Sequence, residues 1–440
     1  MTTTNSSERP EHSTRAVGSP STQPSTRWMA LVVLLCTSFV LVTAEFLPSG
    51  LLTPIADDLG ISPSEAAQTI TITALIGFLT APTIASLVPR MDRRRLLTLL
   101  AAGGSVSSLV VALAPTFELV MLARVLLGIA LSGFWAMSLA VAVAVTRPDQ
   151  LGRGVMIVTA GTSVATVAGV PAAVLLANIA GWRSAFLVIA AVTALVAVLL
   201  AVLLPPIPPA APVRPIDVLR TLRLPPVRLG LAGHVVTVLG HFTAYAFIRV
   251  ALERVDGIDV TTLTILLALF GIGGFVGNVV TGMLVDRHLV ALAYAVPALT
   301  GVAIVVVAFG TSSIIVSAIA VLVWGSAFGG WLIVVNTWTS RQLPDRLEAG
   351  GGLVVAGFQL AIMLGAAGGG LLLGTTSIHT LLLVAAALLV IGAITFGTAC
   401  RHLGAPTAAG IDTAAAEQSQ DRPVSPRPDA TLQACCPHAG

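Results

Sequence analysis

The segment Pro205–Arg228, PPIPPAAPVRPIDVLRTLRLPPVR, separates two sets of six apolar stretches. Each stretch is long enough to cross a bilayer, for which a helix needs roughly 20 apolar residues. The predicted spans are 28–52, 66–89, 96–114, 117–145, 155–179, 184–204, 229–252, 260–284, 289–309, 312–338, 349–373 and 377–400. This division predicts an all-α polytopic membrane protein with two pseudo-symmetric six-helix bundles, at 28–204 and 229–400.

The composition leaves little material for anything outside the membrane. Twelve spans need about 240 apolar residues, and 56% of the 440 residues are hydrophobic while only 10% are charged. The polar segments 1–27 and 401–440 are predicted to be disordered cytoplasmic tails. The proline-rich segment 205–228 is predicted to be a stiff cytoplasmic connector with an amphipathic piece at Ile216–Leu224.

Arginine placement predicts the orientation in the membrane. By the positive-inside rule, arginine-rich loops stay in the cytoplasm. Loops after odd-numbered spans carry only Arg183, Arg249 and Arg254. Loops after even-numbered spans carry thirteen, namely Arg90, Arg93, Arg94, Arg95, Arg147, Arg153, Arg214, Arg220, Arg223, Arg228, Arg287, Arg341 and Arg346. The sequence therefore predicts a multi-pass protein of the cell (inner) membrane with both termini cytoplasmic.

Two charged residues lie inside predicted spans of the first half. Glu45 lies about 10 Å from the outer end of span 1 at ~1.5 Å per residue, and Arg124 lies at a similar depth in span 4. A charge at that depth costs about 2.5 kcal/mol or more unless it is paired or hydrated, so such residues usually line a cavity. Glu45 and Arg124 are predicted to form a proton-coupling pair that separates when the acid is protonated. A permanent structural ion pair is the alternative.

Polar and aromatic side chains inside the spans are the candidate substrate contacts. In span 7, His234, His241, Tyr245 and Arg249 share one helical face, and His241 could also hold a proton. The amides can bind a polar ligand, or they can simply join helices. Amides together with aromatic rings suit a flat heteroaromatic ligand, stacked on its faces and hydrogen-bonded at its edge. The predicted substrate-binding residues are Gln68, Trp135, His241, Tyr245, Asn278, Asn336, Trp338 and Gln359.

Several kinds of chemistry have no support in the sequence. It contains no nucleophile–base pair, His-Glu-x-x-His motif or Walker motif, so we predict no enzyme, no metal and no cofactor other than the coupling proton. No nucleic-acid partner is expected. The Cys435-Cys436 pair is too short a cluster to predict a metal site. The glycines of Gly271–Gly277 lie within a span and predict close helix packing rather than phosphate binding.

An internal repeat marks the ends of spans 2 and 8. Gly282-Met283-Leu284-Val285-Asp286-Arg287 matches Ala85-Ser86-Leu87-Val88-Pro89-Arg90 in position. Gly282–Arg287 resembles the Gly-x-Leu-x-Asp-Arg signature of the major facilitator superfamily. In the first half, Pro89 stands in place of the acid of this signature and Asp92 in place of a glycine. The family's Arg-x-x-x-Gly signature is present as Arg124 and Gly128. The resemblance implies gating loops that contain Arg90, Arg93, Arg94, Gly282, Asp286 and Arg287.

A longer stretch, Glu45–Ser62, resembles the drug:proton antiporter branch of that superfamily. Gly133–Ser138 and Asn336–Trp338 are similar to the purine ribonucleoside efflux pumps. The resemblance implies a monomeric, proton-coupled exporter of small organic solutes, with purine ribonucleosides such as inosine and guanosine as the expected substrates. Chloramphenicol-like drugs or sugars are the alternative substrates. A channel and a non-transporting membrane sensor are the alternatives from other classes.

Overall fold

The computed structural model describes residues 2, 26–209, 215–310 and 312–402. Most of the chain within these ranges is helical. The predicted disordered tails lie almost wholly outside the described residues, as does the Cys435-Cys436 pair. The first half contains α1 (Trp28–Phe46), α2 (Pro63–Thr80), α3 (Arg93–Leu113), α4 (Phe117–Val145), α5 (Leu151–Val164, continued by a π turn at Ala165–Gly169 and by Val170–Ala180) and α6 (Trp182–Leu203).

The second half follows the same order of long helices. One continuous helix, Val260–Phe309, has a non-helical residue at His288, which divides it into α8 (260–287) and α9 (289–309). The other helices are α7 (Pro225–Tyr245), α10 (Ile314–Gly329, continued by Trp331–Gln342), α11 (Leu347–Thr375) and α12 (Ile378–Arg401). Shorter helices lie at Leu52–Leu59, Ile84–Leu87, Pro215–Arg223 and Ile248–Leu252.

These helices fit the twelve predicted spans. Among the described residues, nine helices are long and apolar enough to cross a membrane, and one of them contains both α8 and α9. The two remaining positions are taken by α2, which has a shorter apolar part at Thr71–Thr80, and by α7. Many large apolar side chains on the long helices are exposed, for example Leu122 at 66% and Ile315 at 73%. Such a surface suits lipid rather than water.

Two predicted spans end earlier than expected because of proline. Span 1 was predicted to run to residue 52, but α1 ends at Phe46 and a 3₁₀ turn, Leu47–Gly50, follows. Span 2 was predicted to run to residue 89, but α2 ends at Thr80, shortly before Pro82. Proline has no N–H to donate and clashes with the preceding turn. As a result, Glu45 lies in the last turn of α1 rather than within a longer helix.

One end of the molecule carries the loops that follow α2, α4, α6, α8 and α10. We call this end the connector face, because it includes the described parts of the connector, residues 205–209 and 215–228. The connector contains the helix Pro215–Arg223, in good agreement with the predicted amphipathic piece. The connector also contacts the start of α3, since the Arg93 amide donates a hydrogen bond to the Ile207 carbonyl at 2.9 Å.

Glycines allow α8 and α10 to pack backbone against backbone. Gly273 and Gly277 on α8 lie four residues apart, as do Gly325 and Gly329 on α10. A Cβ atom added at any of these positions overlaps a backbone oxygen of the facing helix. The close packing predicted for Gly271–Gly277 therefore agrees with the geometry at Gly273 and Gly277. The packing also places Phe270 and Asn278 of α8 beside α10.

This packing makes the Gly277→Ala substitution destabilising. The added methyl group overlaps the Ser326 carbonyl, so the two helices must move apart. We expect a loss of about 3 kcal/mol of stability, at the upper end for overpacked interiors. Gly368→Ala on α11 is the matched control, because no atom lies within 4 Å of its added Cβ. Thermal unfolding of the detergent-purified variants measures the difference, and equal midpoints would contradict the packing argument.

Candidate functional site

A cavity of about 320 Å³ lies between the two halves. It is lined by residues of α1, α4 and α5 from the first half and of α7, α8, α10 and α11 from the second. Its volume is in the range typical of small-molecule sites, which runs from about 300 to 1,000 Å³. Predicted residues that line it are Glu45, Trp135, His241, Tyr245, Asn278, Asn336 and Gln359.

Two of the predicted substrate contacts lie elsewhere. Gln68 is exposed near the start of α2 and is not part of the cavity wall. Trp338 is fully buried, and its ring packs on Phe396 with 5.3 Å between ring centroids and against Gly230. Because Trp338 lies on the side of α10 that faces α7 and α12, it supports the second half and does not reach the cavity. Both residues are therefore removed from the candidate site.

Arg124 binds the end of α1 and not the carboxylate of Glu45. Its guanidinium donates to the carbonyl oxygens of Ala44 at 2.9 Å and Glu45 at 2.8 Å. Carbonyls in the last turn of a helix lack partners within that helix, and a cation is favourable there. The predicted Glu45–Arg124 ion pair is absent from this structure because the early end of α1 presents these carbonyls to Arg124.

Glu45 is left facing the cavity. Its carboxylate has no hydrogen-bond or ion-pair partner within the described ranges. Arg124, which is 1% exposed, still attracts it electrostatically. A carboxylate that meets a cavity with a buried cation behind it can take up or release a proton without breaking a direct bond.

Aromatic rings form the part of the cavity that belongs to the second half. We call this group the aromatic wall; its members are Phe242, Tyr245, Phe270, Phe328 and Phe358. His241 lies among them, stacked on Phe328 with 3.3 Å between centroids and an interplanar angle of 1°. Sequence analysis predicted His241 and Tyr245, but it did not predict Phe270 or Phe328, which are unremarkable phenylalanines within apolar helices.

Hydroxyl groups of α5 line the side that belongs to the first half. Thr159, Thr162, Ser163 and Thr166 all face the cavity. Their spacing of three, four and seven residues from Thr159 places them on one helical face, and this pattern in the sequence could have revealed them. Asn278 of α8 donates from Nδ2 to the Thr159 hydroxyl at 2.6 Å, so this contact joins the two halves.

A buried ion pair joins the halves at the connector face. Arg93, at the start of α3, donates from Nε and Nη2 to the two carboxylate oxygens of Glu348, at the start of α11, both at 2.5 Å. The side chains are 2% and 3% exposed. Arg93 also donates to the carbonyls of Val88 and Met91 at 3.2 Å. Arg93 was predicted as a gating residue, but its partner Glu348 was not predicted from the sequence.

The second half contributes an equivalent contact with different chemistry. Asp286, at the end of α8, accepts hydrogen bonds from the Gly152 amide at the start of α5, at 3.0 and 3.1 Å. Arg341 holds this turn by donating to the Asp286 carbonyl at 2.7 Å. A carboxylate is stabilised at a helix N-terminus, where amides lack partners. Each half therefore contacts the other at the connector face.

The other predicted gating residues differ in their burial. Arg90 and Arg287 are exposed, and Arg94 is half-buried. Gly282 is buried against Met156 of α5, where a side chain would not fit. With contacts at Arg93, Asp286 and Asn278, the halves are held together between the cavity and the connector face.

Two helical halves that enclose a small-molecule cavity and meet at one face are typical of membrane transporters. The comparisons with known proteins agree. The family model described as Major Facilitator Superfamily matches residues 34–351. This chain belongs to the major facilitator superfamily, and it is a multi-pass membrane transporter rather than an enzyme. The predicted family and fold class are confirmed.

Relatives and solved structures add detail. The chain is 34% identical to the transcription regulatory protein OpdE of Pseudomonas aeruginosa over 364 residues, covering 80% of this chain and 89% of that protein. It is 32% identical to the purine ribonucleoside efflux pump NepI of Salmonella typhimurium over 345 residues, covering 77% and 86%. The human organic anion transporter TETRAN has a similar structure, with a TM-score of 0.70 at 15% identity, covering 84% of this chain and 99% of its own. The proton:xylose symporter XylE has a TM-score of 0.66 at 13% identity, covering 84% and 94%.

Proposed function

We propose that this protein exports purine ribonucleosides, such as inosine and guanosine, in exchange for protons. The observation that carries the proposal is the cavity, in which a carboxylate of the first half lies across from the aromatic wall of the second half. Aromatic rings can stack on the faces of a purine base, and amides can hydrogen-bond to its edge. The similarity to a purine ribonucleoside efflux pump over most of the chain supports the same substrate class.

Proton coupling is assigned to Glu45. A carboxylate within a membrane protein usually has a functional role, because its burial is costly. Protonation removes its attraction to Arg124 and to any polar group of the substrate nearby. Proton and outgoing substrate therefore compete for the cavity, and this competition is what an antiporter requires. Arg124 contributes by keeping a fixed positive charge behind the carboxylate.

The connector face is proposed to be cytoplasmic and the membrane to be the cell (inner) membrane. Arginine is concentrated in the loops of this face, as the positive-inside rule requires. With the connector face closed by Arg93–Glu348 and Asp286–Gly152, the cavity in this state is proposed to be closed to the cytoplasm.

Uptake into everted membrane vesicles tests the proposed function. With an acidic interior, the imposed proton gradient is expected to drive radiolabelled inosine into vesicles that contain the protein. An uncoupler and vesicles without the protein are the controls. Chloramphenicol and a sugar are measured in parallel. Gradient-driven uptake of one of these without inosine uptake would contradict the purine assignment and support drug or sugar efflux by the same mechanism.

Ligand sensing without transport is the second candidate function. It is favoured by the similarity to OpdE, which is named a transcription regulatory protein. A sensor binds its ligand without moving it across the membrane. Binding of inosine to the purified protein, together with no uptake above the control vesicles under any gradient, would support this alternative.

A further inference from the structure

A histidine–tryptophan hydrogen bond occurs twice between α7 and α10. His234 and His241 on α7 lie seven residues apart, as do Trp324 and Trp331 on α10. The Nε1–H of Trp324 donates to Nδ1 of His241, and the Nε1–H of Trp331 donates to Nδ1 of His234, both at 3.1 Å. The two helices therefore form the same pair at two levels in the membrane.

This bond decides where each imidazole carries its proton. The indole nitrogen of tryptophan only donates, so the Nδ1 atom that receives its hydrogen must present a lone pair. The ring proton of a neutral histidine then lies on Nε2. In each pair, Nε2 is consequently a hydrogen-bond donor with a fixed direction.

The pair His234–Trp331 lies nearer the connector face, and we call it the inner pair. It uses the Nε2 donor within the protein. Nε2 of His234 lies 3.1 Å from the Val354 carbonyl oxygen on α11. His234 is 0% exposed and lies between Trp331 and Phe358, with 6.1 Å between ring centroids on each side. Both nitrogens are satisfied, so this pair joins α7, α10 and α11 as a structural contact.

In the other pair, His241–Trp324, which we call the outer pair, the Nε2 donor of His241 has no hydrogen-bond partner within the described part of the chain. This atom is not fully enclosed by protein, so a ligand can reach it. His241 lines the cavity, and the stack on Phe328 fixes the plane of its ring. The same pair of residues is thus complete at one level and incomplete at the level of the cavity.

We infer that the Nε2–H of His241 donates a hydrogen bond to an acceptor atom on the edge of a planar base held by the aromatic wall. This inference rests on the proposed function and assigns the base to the second half, opposite Glu45. The N7 and O6 atoms of inosine and guanosine are such acceptors. Trp324 is a positioning residue, because it prevents His241 from presenting a lone pair in place of the donor.

Equilibrium binding of three nucleosides to the reconstituted full-length protein tests the inference. Inosine is compared with 7-deazainosine, which lacks N7, and with purine riboside, which lacks O6. The wild type is expected to bind inosine about tenfold more tightly than one of these analogues, because that analogue leaves the donor unpaired. In the double variant His241→Phe with Trp324→Phe, both partners of the bond are removed, and the ratio is expected to fall to about one.

The inner pair provides a matched control. His234→Phe with Trp331→Phe removes the same groups at the level where they do not face the cavity, and it is expected to keep the tenfold ratio. Trp324→Phe alone leaves His241 in place but frees Nδ1, so an intermediate ratio is expected. This single variant remains informative if the double variant does not fold.

The outcomes separate the two proposals. Wild-type protein that binds inosine but does not discriminate against either analogue would contradict the inference, as would a double variant at the outer pair that retains the ratio. Wild-type protein that binds none of the three nucleosides would contradict the proposed function itself. ¹⁵N NMR of labelled histidine independently tests the tautomer: a protonated Nδ1 at His241 would contradict the geometry.

Discussion

Glu348→Gln is expected to destabilise the state in which the connector face is closed by about 3–5 kcal/mol, the usual effect of removing one partner of a buried ion pair. Arg93 would then remain 2% exposed at its side chain without a counter-charge. The closed state loses this energy and the open state does not, so the population shifts toward opening at the connector face. At 1.4 kcal/mol per factor of ten, even the lower figure is a change of about a hundredfold.

The shift can be measured by labelling from one side. A cysteine introduced at Ser163, which lines the cavity, is exposed to a membrane-impermeant maleimide applied at the connector face. We expect slow labelling in the otherwise wild-type background and much faster labelling with Glu348→Gln. The thermal unfolding midpoint is expected to fall as well, because the same interaction is lost.

Glu253→Gln is the matched control for this experiment. It breaks the Arg249–Glu253 pair, whose side chains are 70% and 48% exposed. Exposed pairs of this spacing contribute about 0.3–0.5 kcal/mol, so labelling and stability should be almost unchanged. Exchanging the charges, with Arg93→Glu and Glu348→Arg, should restore part of the effect. Identical behaviour of Glu348→Gln and Glu253→Gln would exclude a role for the buried pair in closing this face.

Glu45→Gln is expected to abolish proton-driven inosine accumulation in everted vesicles, a loss of at least about tenfold corresponding to 1.4 kcal/mol or more of coupling free energy. Glutamine has nearly the shape of glutamate but cannot bind and release a proton. The cavity keeps its volume and its aromatic wall, so exchange of labelled for unlabelled inosine without a gradient should continue. The separation of these two activities is the signature of a coupling residue.

Glu118→Gln is the control for the coupling experiment. Glu118 is an exposed acid at the start of α4 in the same half, and its replacement should leave accumulation unchanged. Full accumulation by Glu45→Gln would overturn the assignment of the coupling site. Loss of exchange along with accumulation would show instead that Glu45 is needed for substrate binding or for folding.

The fold was largely predictable because membrane spans depend on local composition. Apolar length predicts a helix wherever lipid surrounds the chain, since backbone groups must then be satisfied within the helix. The boundaries at Pro48 and Pro82 were less accurate, because a proline at that position can bend a helix or end it. Local sequence does not decide between these two outcomes.

The site was predicted only in part, and the errors have a common physical origin. Cavity residues such as His241 and Asn278 were found because a polar group inside a span is conspicuous. Trp338 and Trp324 are equally conspicuous in the sequence, because each places a polar indole nitrogen inside a span. Only the packing of α10 shows that neither residue lines the cavity. The same packing shows that Trp324 orients His241. Contacts between distant residues, such as Arg93 and Glu348, cannot be derived from spacing along the chain.

The ion pair at the connector face also bears on how sequences in this family diverge. The loop after α8 keeps its acid, Asp286, whereas the loop after α2 has Pro89 at the corresponding position. In the first half, the negative charge of the contact is instead supplied from α11 by Glu348, and Arg93 supplies the loop's contribution. We therefore expect positions 89, 93 and 348 to be coupled: loss of the acid at 348 should be tolerated better in a variant that also carries Pro89→Asp, which returns a negative charge to the first loop.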